Sequence, residues 1–144
     1  MSTNKKARHE SRVVAVKAFF SYLSRDQKCE IAGALEHVLE LDGKERDDFA
    51  EALLQTAIEN LGKLKVIIRA FAPEFSFEKI APINRTILIL GLAELKFFDT
   101  PPIVVINEYI EIAKEYGEAK SAGFINGVLD AFRKNIGKER GGEE

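Results

Sequence analysis

The chain has a single cysteine, Cys29, in 144 residues, so no intrachain disulfide is possible and nothing points to an oxidising compartment. Histidines are as scarce: His9 and His37 are the two present. A di-metal carboxylate bundle needs Glu-x-x-His pairs facing inward, but Lys6 stands three before His9 and Ala34 three before His37. Cys29 and His37 fall on one predicted helix roughly 12 Å apart, beyond reach as nucleophile and base. Long apolar runs are missing too. The best, from Ile87 to Leu95, is broken by Glu94 and is far shorter than the roughly 18–20 residues of a membrane span. Arg12 and Lys17 bracket the short run from Val13 to Val16, so a secretory leader is not expected. Phosphate-cradling loops are absent: no Gly-x-Gly-x-x-Gly occurs, and Gly62-Lys63 has Ala57 and Leu64 where a P-loop needs glycine and a hydroxyl. No catalytic residue, metal ligand or cofactor is assigned, and the reading is a cytoplasmic protein that is not an enzyme.

What is present describes a folded domain. With 46% hydrophobic and 31% charged residues, the chain can bury a core without staples. The net charge of −2 argues against coating nucleic acid by bulk electrostatics, while leaving room for a local basic patch. Such a patch lies at the start, in Lys5, Lys6, Arg8, Arg12 and Lys17, with His9 among them. Lys5, Arg8 and Arg12 are spaced by three and four, which makes a basic stripe if the first helix reaches back that far. Cations beside aromatic rings suit single-stranded nucleic acid, whose phosphates and unstacked bases need both.

Apolar positions recur at helical spacing through nearly the whole chain, and no strand alternation of useful length occurs. The fold class is all-α, with about seven helices. Val13, Val14, Val16, Phe19, Phe20 and Leu23 give the first stripe, with a stop near Tyr22 and a capping box at Ser24 and Gln27. Ile31, Leu35, Val38 and Leu39 give the second, closed by Asp42-Gly43. A third helix is expected from about Lys44 to Leu61, burying Phe49, Leu53, Leu54, Ala57, Ile58 and Leu61, with Gly62 as its stop. A shorter one follows from Leu64 to Phe71, stopped by Pro73. Residues 73–82 form the clearest joint, dividing one domain over 1–144 into sub-bundles of about 5–72 and 77–136. From Ile83 to Phe98 the chain is apolar nearly all round, as in a buried helix. Thr100-Pro101-Pro102 is read as a cap and first turn. Ile106, Tyr109, Ile110 and Ala113 share the next buried face, and Gly117 ends it. Ser121 is a candidate cap for a last helix striped by Ile125, Val128, Leu129, Phe132 and Ile136, before a charged tail at 137–144. Gly127, inside that helix, is read as allowing close approach of another helix.

Several blocks in order resemble one family. Phe75-Ser76-Phe77-Glu78-Lys79-Ile80-Ala81-Pro82-Ile83-Asn84-Arg85 leads into Leu92-Ala93-Glu94-Leu95. Then come Val105-Ile106-Asn107-Glu108, Ile110-Glu111-Ile112-Ala113-Lys114 and Phe124-Ile125-Asn126-Gly127-Val128-Leu129-Asp130. These are similar to the signature blocks of the NusB family, and Ala15-Val16-Lys17-Ala18-Phe19-Phe20 resembles its opening block. The resemblance spans the chain, most closely from Phe75 to Phe132.

The resemblance implies two packed helical sub-bundles and binding of short single-stranded boxA-type RNA. The small-subunit ribosomal protein NusE would be the partner, within an RNA polymerase antitermination complex that supports ribosomal RNA synthesis. It implies RNA-binding roles for Lys5, Lys6, Arg8 and Arg12 in the arginine-rich segment, for Phe20, and for Lys120, Ser121 and Phe124. The chain departs from the pattern in places. His9 and Glu10 dilute the basic segment, Phe20 replaces a tyrosine, Ile89 an arginine, Ala93 an aromatic residue, and Lys120 an acidic one. Two other readings stand beside it. One is a protein-interaction or homodimeric module of this fold with weak or no RNA binding. The other is an isolated relative of the helical domain that precedes ribosomal RNA cytosine methyltransferases.

Overall fold

The computed structural model describes residues 2–25, 30–73, 77–118 and 120–139. Seven α-helices lie among the described residues: α1 (Ser2–Ser24), α2 (Ile31–Leu41), α3 (Asp48–Glu59), α4 (Leu61–Phe71), α5 (Pro82–Phe97), α6 (Pro102–Tyr116) and α7 (Ser121–Glu139). A 3-10 turn, η1, covers Phe77–Lys79. The all-α expectation is met. Gln27 of the expected capping box, Cys29, and residues 140–144 of the tail lie outside the described residues.

The helices form two compact units, residues 1–59 and 60–144. The division therefore falls earlier than the joint expected at 73–82. The reason is that α4 packs on α5, α7 and η1, with Phe71 meeting Phe132 of α7 edge-to-face at 6.0 Å between ring centres.

In the first unit α1 packs on both α2 and α3. Of the stripe read from the sequence, Val14, Val16 and Phe19 are buried, with Ala15 and Ala18 beside them, whereas Val13 and Leu23 are half-buried and Phe20 is exposed. The helix runs through Ser24, past the stop expected near Tyr22. Asp42-Gly43 does end α2: Gly43 takes φ +71°, its N–H donates to the Glu40 carbonyl at 3.1 Å, and the Lys44 N–H reaches back to Leu39 at 2.8 Å. This paired closure is a Schellman motif, which favours glycine because an L side chain is strained there. It carries the chain beyond Lys44, so α3 starts later than the sequence suggested. Asp47 supplies the cap, its carboxylate accepting the Ala50 N–H at 3.0 Å as an N-cap side chain should. At the other end Asn60 (φ −118°, ψ 18°) leaves helical geometry. Leu61 and Gly62 then begin α4 instead of ending α3.

The second unit is built around α5, which packs on α4, α6 and α7. Ten consecutive residues, Thr86 through Leu95, are buried. The two polar ones are satisfied: Thr86 Oγ1 donates to the Pro82 carbonyl at 2.9 Å, and the Glu94 carboxylate accepts the Tyr109 hydroxyl at 2.9 Å. A side-chain carbon added at Gly91 would lie 3.2 Å from both Leu129 methyls and 3.5 Å from the Tyr109 ring. The close approach therefore occurs at Gly91. Gly127 is exposed and an added carbon there meets nothing within 4 Å, which corrects the role read for it. Pro101, with no side-chain cap, precedes α6, so Thr100 is not its cap.

Leu88 is fully buried, and Leu88→Ala is expected to cost about 2–5 kcal/mol in urea unfolding. A loss under about 0.5 kcal/mol, as at exposed sites, would contradict the placement of α5. Gly127→Ala should stabilise by about 0.5–1 kcal/mol. Gly91→Ala should destabilise by about 1–3 kcal/mol through overpacking. Equal effects of the two would overturn the assignment of the close approach.

Candidate nucleic-acid interface

The basic stripe exists as a helical surface, because α1 begins at Ser2. Lys5, Lys6 and Arg8 are exposed, while Arg12 keeps only 2% of its surface. Both arginines reach Phe49 at the start of α3. The Arg8 guanidinium carbon lies 4.1 Å from the centre of that ring and the Arg12 carbon 5.4 Å. Two cations thus share one ring, an arrangement the ring quadrupole favours. Phe49 is half-buried, so it serves as a platform as well as a core residue. Its apolar character at helical spacing pointed only to the core. Glu10, which dilutes the basic segment, approaches Lys44 at 3.4 Å, so a neighbouring lysine offsets its charge. Phe20, 38% exposed, projects from the same helix about 18 Å along the axis from Arg8.

In the second unit the structure brings Lys120, Ser121 and Phe124 together. With Lys79, Ile80, Ala81, Asn84 and Glu118 they line a cleft of about 230 Å³, formed where α5 and α7 begin. Lys120 is exposed, Phe124 half-buried and Ser121 only 5% exposed. The Ser121 N–H donates to the Glu118 carbonyl at 2.9 Å, fixing the turn that presents Lys120. Asn84 was not singled out as a site residue. Its Oδ1 is buried without a hydrogen-bond partner, as is Nε of the adjacent Arg85. The signal available was two polar residues at the head of an otherwise apolar helix.

Several cations elsewhere are held in ion pairs. Asp130 accepts from Arg133 and Lys134, whose hydrogen bonds hold its carboxyl below the usual range. Arg46 pairs with Asp48 and Lys114 with Glu111. Among the described residues, Lys5, Lys6, Arg8, Lys79 and Lys120 have no such partner. Among the same residues no group of three or more His, Cys, Asp or Glu is placed to hold a metal ion, and no helix is long and apolar enough to cross a membrane.

Fold and site define a class: an all-helical protein with local basic surface, in which Arg8 and Arg12 rest on an aromatic ring. The comparisons are specific. The NusB family model matches residues 9–134. A transcription antitermination protein NusB from a Nitratiruptor species is 36% identical over 132 residues, covering 90% of this chain and 93% of that protein. A T. maritima NusB structure superposes with TM-score 0.81 at 31% identity, covering 88% of this chain and 90% of its own. A crystal structure of the antitermination factors NusB and NusE in complex with dsRNA matches with TM-score 0.82 at 25% identity, covering 90% of this chain and 98% of that one. This chain belongs to the NusB family.

Arg8→Ala should leave thermal unfolding unchanged, because the side chain is exposed. Arg12→Ala should lower the unfolding temperature measurably, because it removes a buried side chain. The same melting temperature for both variants would contradict the burial of Arg12.

Proposed function

We propose that this chain is a transcription antitermination factor of the cytoplasm. It binds boxA-type single-stranded RNA together with the ribosomal protein NusE, within an RNA polymerase antitermination complex that supports ribosomal RNA transcription. It acts by binding and holding, without catalysis. The observation that carries this reading is the cleft at the start of α7. There Lys79 and Lys120, the Asn84 amide and the Phe124 ring converge on a space of about 230 Å³. Single-stranded recognition needs a cation for phosphate, a polar edge for hydrogen bonding and a ring for an unstacked base. The stripe of Lys5, Lys6 and Arg8 adds phosphate contacts, and Arg12 supports them from below through Phe49. Ser121 shapes the cleft floor, and Phe20 offers a further exposed ring. The solved relative holds double-stranded RNA, whereas a half-buried ring in a small cleft favours a base free of its stack.

One observation favours the alternative of a protein-interaction or homodimeric module. Phe97, Ile103 and Val104 are exposed around the α5–α6 connection, Ile103 to 60%, and apolar surface of this kind suits a protein contact. Fluorescence anisotropy separates the two readings. Labelled boxA-type RNA, its scrambled control and a duplex are titrated with and without NusE. The expected result is preference for the single boxA strand, sharpened by NusE. Phe124→Ala should lose about 1–3 kcal/mol, the worth of one stacked base. Binding of NusE or self-association with no RNA preference in any condition would establish the alternative.

A further inference from the structure

The second unit repeats, with different residues, the construction seen at Phe49. Phe77 of η1 carries two cations on its ring: Lys65 Nζ from α4 at 5.0 Å and the Arg85 guanidinium carbon from α5 at 5.3 Å. All three side chains are half-buried, so packing holds them in place. Neither cation has a carboxylate partner among the described residues. Two like charges held near one another without a counter-charge repel, and the ring alone offsets part of that cost. Arg85 adds a more specific sign. Its Nε is buried and has no acceptor, so this side chain is held in place at a cost in unmet hydrogen bonding. Its terminal nitrogens are not among the buried unpaired atoms, and their planar fork matches two oxygens of a phosphate. Lysine beside it supplies a mobile point charge for the same group.

Position ties this cluster to the cleft described above. Lys79 and Asn84 line that cleft, while Phe77 and Arg85 are their near neighbours on the same two elements, η1 and the first turns of α5. A single strand leaving the cleft along η1 would meet the Phe77 cluster next. We propose that Lys65, Phe77 and Arg85 form a further phosphodiester-binding site, which takes the RNA backbone next to the segment held in the cleft. It adds affinity without reading sequence, since phosphate contacts position a strand and base contacts specify it. Phe77 is the positioning residue, orienting both cations through its ring. The proposal rests on the RNA-binding reading of the cleft.

The test uses the full chain, a boxA-type RNA lengthened by single-stranded tails, and a scrambled RNA of the same length. Anisotropy titrations over a salt series compare Lys65→Gln, Arg85→Gln, Phe77→Leu and Phe77→Tyr with Phe124→Ala. Each lost phosphate contact should make the negative slope of log affinity against log salt shallower by about 0.7. Lys65→Gln and Arg85→Gln are each expected to show that change, equally for both RNAs. Phe77→Leu should reduce the slope and Phe77→Tyr restore it. Lys65→Gln leaves the buried Arg85 in place, so its result stands even if Arg85→Gln unfolds, which thermal melting reports. Unchanged slopes in folded variants, while Phe124→Ala weakens binding, would overturn the proposal and leave the cleft standing. Altered NusE binding with unchanged RNA slopes would also overturn it, assigning the cluster to a protein contact. No effect of Phe124→Ala either would show that the cleft reading itself had failed.

Discussion

A helix buried on every side can offer only its ends to a ligand, and α5 is such a helix. Its burial from Thr86 through Leu95 requires that α7 come close, which Gly91 permits. It also requires that Glu94 find a donor, which Tyr109 supplies. Helices α4, α6 and α7 are each positioned by that central element. The polar residues Asn84 and Arg85 then emerge at its first turns. The cleft is therefore a consequence of the core: it opens where the apolar stretch of α5 begins.

The second constraint is electrostatic. A chain of net charge −2 has no long-range attraction to a polyanion, so affinity must come from a few well-placed groups. Rings supply the placement. Phe49 holds Arg8 and Arg12, and Phe77 holds Lys65 and Arg85. A cation resting on a ring has already given up much of its conformational freedom, so less is lost when phosphate arrives. A few other cations pair with carboxylates, as Arg133 and Lys134 do with Asp130. Local basic surface and overall acidity thus coexist without conflict.

Much of the fold was legible because helical periodicity and burial obey one rule. The stripes of α1, α2 and α7, the glycine stop after α2 and the buried character of α5 all follow from residue pattern. Boundaries without glycine or proline were not legible. Asn60 breaks the chain where composition suggests continuity, and Asp47 outcompetes Lys44 as a start because only its carboxylate can cap. Of the candidate site, the stripe of Lys5, Arg8 and Arg12 was legible from its spacing, whereas Phe20, Lys120, Ser121 and Phe124 entered through the family resemblance, and Lys79 and Asn84 were not singled out. The burial of Arg12 was not legible, for a physical reason. A charged residue in a basic stripe looks solvated, yet an arginine can bury its stem and stack its head. Phe49 and Phe77 were hidden by the converse: a ring that packs at a helix surface looks like core until its neighbours are known.

We propose that a few ring-supported cations and a small cleft bind single-stranded RNA on an otherwise acidic protein. The most direct measurement is the affinity of the unmodified chain for boxA-type RNA and its scrambled control across a salt series. The boxA strand is expected to bind more tightly at every salt concentration. The slope should correspond to several phosphate contacts at about −0.7 each. Equal affinities with a slope near zero would contradict it, because neither the cleft nor the cations would then be engaged.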